Sequence, residues 1–148
     1  MPDRERELIG LLNAAAAEYQ AARTAKVKTD LRLGMELKVT AFMKQSQDAV
    51  DWLGVIHASH STLDGDRWLS IDIAPDISLS TFQNHYADSD TQTLISRYAP
   101  LGHMVDQLMA GDVVKFSGRM MILDVTDDDA MVVRPHLIVR FKSIAPAG

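Results

Sequence analysis

The sequence predicts a mainly β (α+β) fold: a small antiparallel barrel with a long N-terminal helix in front and a short helix before the penultimate strand. Three observations predict it. The first is a change of hydrophobic period, from the helical spacing of Leu8, Leu12, Ala15, Tyr19 and Ala22 to strict alternation from Leu31 onward. The second is Asp64-Gly65 set between two β-rich runs, a strong hairpin signal. The third is size: 148 residues, 47% of them hydrophobic and 24% charged, make one domain with a real core and room for an appendage. Zero cysteines removes disulfides, thiolate metal centres and a cysteine nucleophile together. No apolar run approaches the roughly 18 residues needed to span a bilayer.

Residues 1–30 read as the helical appendage and 31–148 as the barrel. From Asp3 to about Lys28 there is one glycine and a series of strong helix formers. Asp3 is the candidate N-cap, Glu5 and Glu7 face the positive end of the dipole, and Arg23, Lys26 and Lys28 face the negative end. A single helix of about 24 residues is expected, with a narrow alanine-rich stripe suited to packing on a neighbour. Leu31, Leu33, Met35, Leu37, Val39, Ala41 and Met43 then alternate with more polar residues, the pattern of a strand wet on one face. A second β run, Val50 to Ser59, returns through Asp64-Gly65-Asp66 into Trp68 to Ile73.

Residues 75–92 read as a long connection with short strand pieces near Ile77 to Phe82, and Thr91 to Ile95 as another short strand. Pro100 opens a helix of about ten residues, with Leu101, Met104, Val105, Leu108 and Met109 on one side and Gly111 as its stop. Asp112 to Asp124 is β-rich, Asp127-Asp128-Asp129 is a turn, and Val132-Val133 with Leu137 to Ile144 supply the last strand, interrupted by Pro135. Five or so short strands with one helix inserted before the fourth hide their edges by closing, in the order of an OB-fold.

Several segments carry a family likeness: Trp52-Leu53-Gly54-Val55-Ile56, the Asp64-Gly65 turn, Thr93-Leu94-Ile95 ahead of Pro100-Leu101, and the run from Leu108 through Gly111-Asp112-Val113-Val114-Lys115-Phe116-Ser117-Gly118. Over roughly residues 36–144 the chain resembles bacterial OB-fold proteins of the tRNA-anticodon-like, nucleic-acid-binding type. The resemblance implies a non-enzymatic module binding single-stranded DNA or RNA, with no cofactor, and it assigns no binding residue. Several such proteins look like envelope lipoproteins. Here the charged N-terminus lacks both a lipid-attachment cysteine and the apolar core of a secretory signal, so a cytoplasmic chain is expected.

The residues suggest no catalytic centre. His57 and His60 are three apart on a strand, where alternation sends them to opposite faces, and His85, His103 and His136 belong to no metal-binding motif. All four glutamates, Glu5, Glu7, Glu18 and Glu36, precede the barrel core. Asp72 and Asp76 with Arg67 suit a strand end as well as a nuclease site, and Ser117-Gly118 lacks a nucleophile elbow.

A nucleic-acid face needs an aromatic platform and cations. If Leu69, Ile71 and Ile73 point inward, Trp68 points outward. The same alternation turns Val114, Phe116, Leu137, Val139 and Phe141 inward and Lys115, Arg119, Arg140 and Lys142 outward. Trp68, Lys115, Arg119, Arg140 and Lys142 are therefore the candidate nucleic-acid-binding set. Charge opposes strong binding: residues 1–48 sum to +1 and the remainder to −6, with four carboxylates in the Asp124 to Asp129 loop. Binding is expected to be weak. The competing expectation is a protein-interaction or assembly module, joining a partner protein or a second copy through residues 3–28.

Overall fold

The computed structural model describes residues 1–123 and 130–147. The expected Asp124 to Asp129 turn lies outside the described residues.

The N-terminal region is a helical hairpin rather than one helix followed by a strand. Helix α1 (Asp3–Ala21) stops at Ala22, and α2 (Ala25–Gln45) starts afresh from Thr24, whose hydroxyl accepts the Val27 amide at 3.2 Å. Asp3 is the first helical residue, and no side chain caps α1. The segment expected as a strand, Leu31 to Met43, is helical because Met35 and Val39 of the alternating row fall in helical spacing with Phe42 of the opposite row. That i, i+4, i+7 stripe is buried, in a segment rich in Leu, Met, Lys and Glu. Leu33 and Leu37, on the same alternating row, are left 48% and 72% exposed. The hairpin is pinned at both ends. Lys28 lies over the Tyr19 ring, and the Arg4 guanidinium sits 3.6 Å from the Phe42 ring centre and donates to the Phe42 and Ser46 carbonyls. The boundary between appendage and barrel therefore falls after Gln45, not at residue 30.

Five strands follow: β1 (Asp48–Ser61), β2 (Arg67–Ala74), β3 (Ile77–Ser80), β4 (Val113–Leu123) and β5 (His136–Pro146). They close a barrel in the order β1-β2-β3-β5-β4, antiparallel except for the parallel pair β3–β5. Strand β1 pairs with β4 from Asp48 to Val55 and with β2 from Val55 to Ser61, so it must coil sharply at the handover. Gly54 stands there because a Cβ would meet the Ile71 methyl at 2.4 Å and the Asp72 carbonyl at 2.9 Å.

The expected inward residues of β2, β4 and β5 are all buried. Trp52, Phe116 and Phe141 stack edge to face at the centre, with centroids 6.4 and 5.7 Å apart. Helix α3 (Pro100–Asp106), seven residues long, enters before β4, and Gly111 (φ +94°) turns the chain into that strand. A fourth helix, α4 (Ala130–Val133), takes Val132 and Val133 out of the expected last strand. Thr91 to Ile95 forms no strand; Ile95 alone bridges to Arg67.

Helix α1 packs on α2, β1 and α4. Its Glu5 is wholly buried, and one carboxylate oxygen accepts the Leu53 amide of β1 at 2.8 Å. The other oxygen has no partner, and burial raises the Glu5 carboxyl above the usual range against the lowering pull of the Leu53 amide and the N-terminal charge. No helix among the described residues is long and apolar enough to cross a membrane.

Candidate functional site

Because Leu69, Ile71 and Ile73 point into the barrel, Trp68, Ser70 and Asp72 form an outward row on β2. A groove of about 440 Å³ runs over this row, bounded by His57 on β1, Ser78 on β3, Asp76 in the β2–β3 turn, Gln83, and Arg134 just before β5. A smaller cleft of about 290 Å³ continues past Trp68 to His60 and Ser61. Trp68 is half-buried and stacks on His60, its cross-strand partner, with centroids 5.0 Å apart and rings 4° from parallel. Its indole N–H is buried without an acceptor among the described residues.

The groove is polar and its charges are paired. His57 Nδ1 lies 3.0 Å from Asp72, and Arg134 Nε lies 3.8 Å from Asp76. At the β1–β2 turn, His85 Nε2 sits 3.2 Å from Asp66 and 3.4 Å from Asp64. Arg97 donates its guanidinium to the Asp64 carbonyl and its amide to the Asp66 carboxylate, fastening the segment after β3 to that turn. The same segment is ordered from within by Asp88. Burial alone would raise the Asp88 carboxyl. The Leu94 and Thr93 amides and the Thr91 and Thr93 hydroxyls outweigh that and hold it below the usual carboxylate range.

His57 and His60 share one face, contrary to simple alternation. A register shift between Ile56 and Ala58 inserts a residue into β1, and the bulge turns both imidazoles toward the outward row of β2. Strand periodicity could not reveal it; the spacing of two histidines around Ala-Ser was the only sign.

The candidate set of five residues divides. Trp68 lies in the groove, while Lys115 and Arg119 are on β4 and Arg140 and Lys142 on β5, separated from β2 by β1 on one side and β3 on the other. Three of the four cations are engaged structurally. Arg119 donates to Gln47 at 2.7 Å, Arg140 donates to the Thr91 carbonyl, and Lys142 lies 3.9 Å from Asp48. Lys115 is exposed. Alternation gave each residue its correct face but said nothing about which strands are neighbours.

Ser80 and His136 meet across the β3–β5 pair. Ser80 is fully buried, and its hydroxyl also lies 2.9 Å from the Thr81 carbonyl. The contact ties the parallel strands β3 and β5 together. Among the described residues no three His, Asp or Glu side chains are arranged to share a metal ion. Comparison of the chain with protein-family models, with curated proteins and with solved structures gives no match.

Proposed function

We propose that the chain is a non-enzymatic OB-fold binding module that takes single-stranded nucleic acid across the outer faces of β1, β2 and β3, with a base stacked at Trp68. The observation that carries this reading is the position of the aromatic groove. It lies over the second and third strands, between the β1–β2 turn and the segment leading into β5, the face that five-stranded barrels of this connectivity use for ligands. Stacking on one aromatic ring is worth about 1–3 kcal/mol, or roughly 5- to 150-fold in affinity. Electrostatics adds little, because Arg134 is the one Lys or Arg among the described groove-lining residues and is already shared with Asp76.

The test is a titration of a labelled oligonucleotide at low salt and again near 0.2 M. Weak binding with a logarithmic salt slope near −0.7, the value for about one phosphate contact, is expected, and Trp68→Ala should abolish most of it. Binding indifferent to Trp68→Ala, or carried by Arg119 and Lys142, would place the ligand on the wrong side of the barrel for this proposal.

An assembly role is the second reading, and it moves from α1 to α2. The buried face of α1 is spent on this chain's own barrel and on α2, whereas Leu33 and Leu37 of α2 are exposed. Light scattering of the wild type and of Leu33→Glu/Leu37→Glu decides it: a dimer lost in the variant supports assembly.

A further inference from the structure

We infer that the strand held at Trp68 has a second stacking subsite at Tyr98, where the phenol ring and the Arg97 guanidinium form a fixed platform beside the β1–β2 turn. This rests on the nucleic-acid reading above and extends it from one base to a track. Tyrosine is ordinarily intermediate in burial, and Tyr19 and Trp52 are buried here. Tyr98 is 77% exposed and Tyr86 94%. Both belong to the segment after β3, which returns to the turn that leads into Trp68.

Backbone pairing fixes that placement. Arg67 and Ile95 exchange both amide hydrogen bonds in an antiparallel bridge, at 2.8 and 3.0 Å, so the chain beyond Ile95 runs back along the turn. The Arg97 amide then donates to the Asp66 carboxylate at 3.1 Å, and its guanidinium donates to the Asp64 carbonyl. Asp66 stands two residues before Trp68, at most about 7 Å of extended chain. The cleft beside Trp68 reaches the same place, because one of its walls is Ser61, the last residue of β1 before the turn.

The platform is built into the fold as well as exposed. Gly65 (φ +86°) leaves room for the Arg97 stem, since a Cβ there would meet the Arg97 Cδ at 3.0 Å. Arg97 lies across the turn with its guanidinium carbon 4.7 Å from the centre of the Tyr98 ring. The backbone around the ring is tied: the Tyr98 amide donates to the Ser96 hydroxyl at 3.2 Å and the Ala99 amide to the Ser96 carbonyl at 3.1 Å. Gly102 of α3 packs on that carbonyl so closely that no Cβ fits. A ring held in this way takes a base with little loss of rotamer freedom; Tyr86, which has no ring contact among the described residues, lacks that advantage.

Single-stranded nucleic acid is the occupant this surface fits. Bases of any identity stack on a flat ring, and a guanidinium adds a cation–π contribution. The Arg97 group is bound here by a carbonyl, which leaves its positive charge in place. Two platforms this close along one strand lie within the reach of about four nucleotides, the low end of site sizes for such barrels.

Labelled oligothymidylates of about two, four and eight nucleotides are titrated at low salt against the wild type, Trp68→Ala, Tyr98→Ala, Tyr98→Phe and Tyr86→Ala, with thermal unfolding of each variant as the folding control. Wild-type affinity should rise from the shortest probe to the middle one. Tyr98→Ala should weaken the middle probe about tenfold, within the roughly 5- to 150-fold that one stacked base supplies, and remove most of the gain with length. Its salt slope should equal that of the wild type, because no charge is lost. Tyr98→Phe should bind like the wild type, and Tyr86→Ala should cost less than about twofold. A gain with length that survives Tyr98→Ala overturns the second subsite and leaves the Trp68 reading in place. Equal losses from Tyr86→Ala and Tyr98→Ala also overturn it, since they would mark an apolar patch without a fixed platform. Absence of wild-type binding at every length overturns both readings.

Discussion

Gly54→Ala tests whether β1 hands over from β4 to β2 where the barrel requires it. The added Cβ would lie 2.4 Å from the Ile71 methyl and 2.9 Å from the Asp72 carbonyl, where carbon contacts settle at about 3.5–4.0 Å. Relief needs a displacement on the order of 1 Å. Ile71 is wholly buried against the core, and the Asp72 carbonyl belongs to backbone that pairs with both β1 and β3, so neither neighbour yields easily. Overpacking of a well-filled core costs about 1–3 kcal/mol, and this site belongs at the upper end because one clash is with backbone.

Urea unfolding followed by tryptophan fluorescence should show a lower midpoint with an unchanged slope. Set against a total stability of about 5–15 kcal/mol, the loss is large but leaves a folded protein whose ligand affinity can be measured. That affinity should fall too, because Asp72 and its partner His57 move with the strand. A stability loss below about 0.5 kcal/mol would refute the handover at Gly54 and with it the curvature that shapes the groove.

Phe116→Ala, at a residue 1% exposed between Trp52 and Phe141, should cost about 3–5 kcal/mol in the same assay; less than about 1 kcal/mol would mean β4 is out of register by one residue. Glu5→Gln addresses α1 docking. Because burial raises the folded-state carboxyl, its contribution is present below the usual carboxylate range, near pH 4, and is lost as pH rises through the raised value. The Gln variant should therefore gain stability relative to wild type on going from about pH 4 to 8, and parallel unfolding curves would contradict this. Asp88 has the opposite sign: held low by its hydrogen bonds, it stabilises above the usual range and loses that effect as pH falls below about 4. Asp88→Asn should cost about 1–3 kcal/mol and speed hydrogen exchange at the Thr93 and Leu94 amides, where unchanged protection would show that the carboxylate does not order the segment.

The barrel was legible because it is written in side-chain alternation over strands with one wet face. Leu69, Ile71 and Ile73, or Leu137, Val139 and Phe141, need only the period to be placed. The same signal failed at Leu31 to Met43. The alternation masks a helical stripe that takes Met35 and Val39 from one row and Phe42 from the other, and the strong helix formers between them decided the outcome once α1 offered a surface. Helix breaking at Ala22 to Thr24 was missed for a related reason: Thr24 signals an N-cap only if the chain is already known to reverse there.

The groove was harder to read than the fold, since its residues depend on departures from regular structure and on strand adjacency. Five outward residues on three strands look like one surface in a list, but a closed barrel has no single outward side. Lys115, Arg119, Arg140 and Lys142 gather on β4 and β5, where Gln47, Thr91 and Asp48 engage three of them to tie the helical hairpin's exit and the Asp88 segment to the barrel wall. Across the barrel, one inserted residue in β1 turns His57 beside Asp72 and sets His60 against Trp68. Three of the four cations that looked functional are thus engaged within the fold, and two histidines that looked opposed share the face of the aromatic platform. Binding at this face should follow the Trp68 ring more closely than the number of lysines and arginines, which Trp68→Ala and the salt titration measure separately.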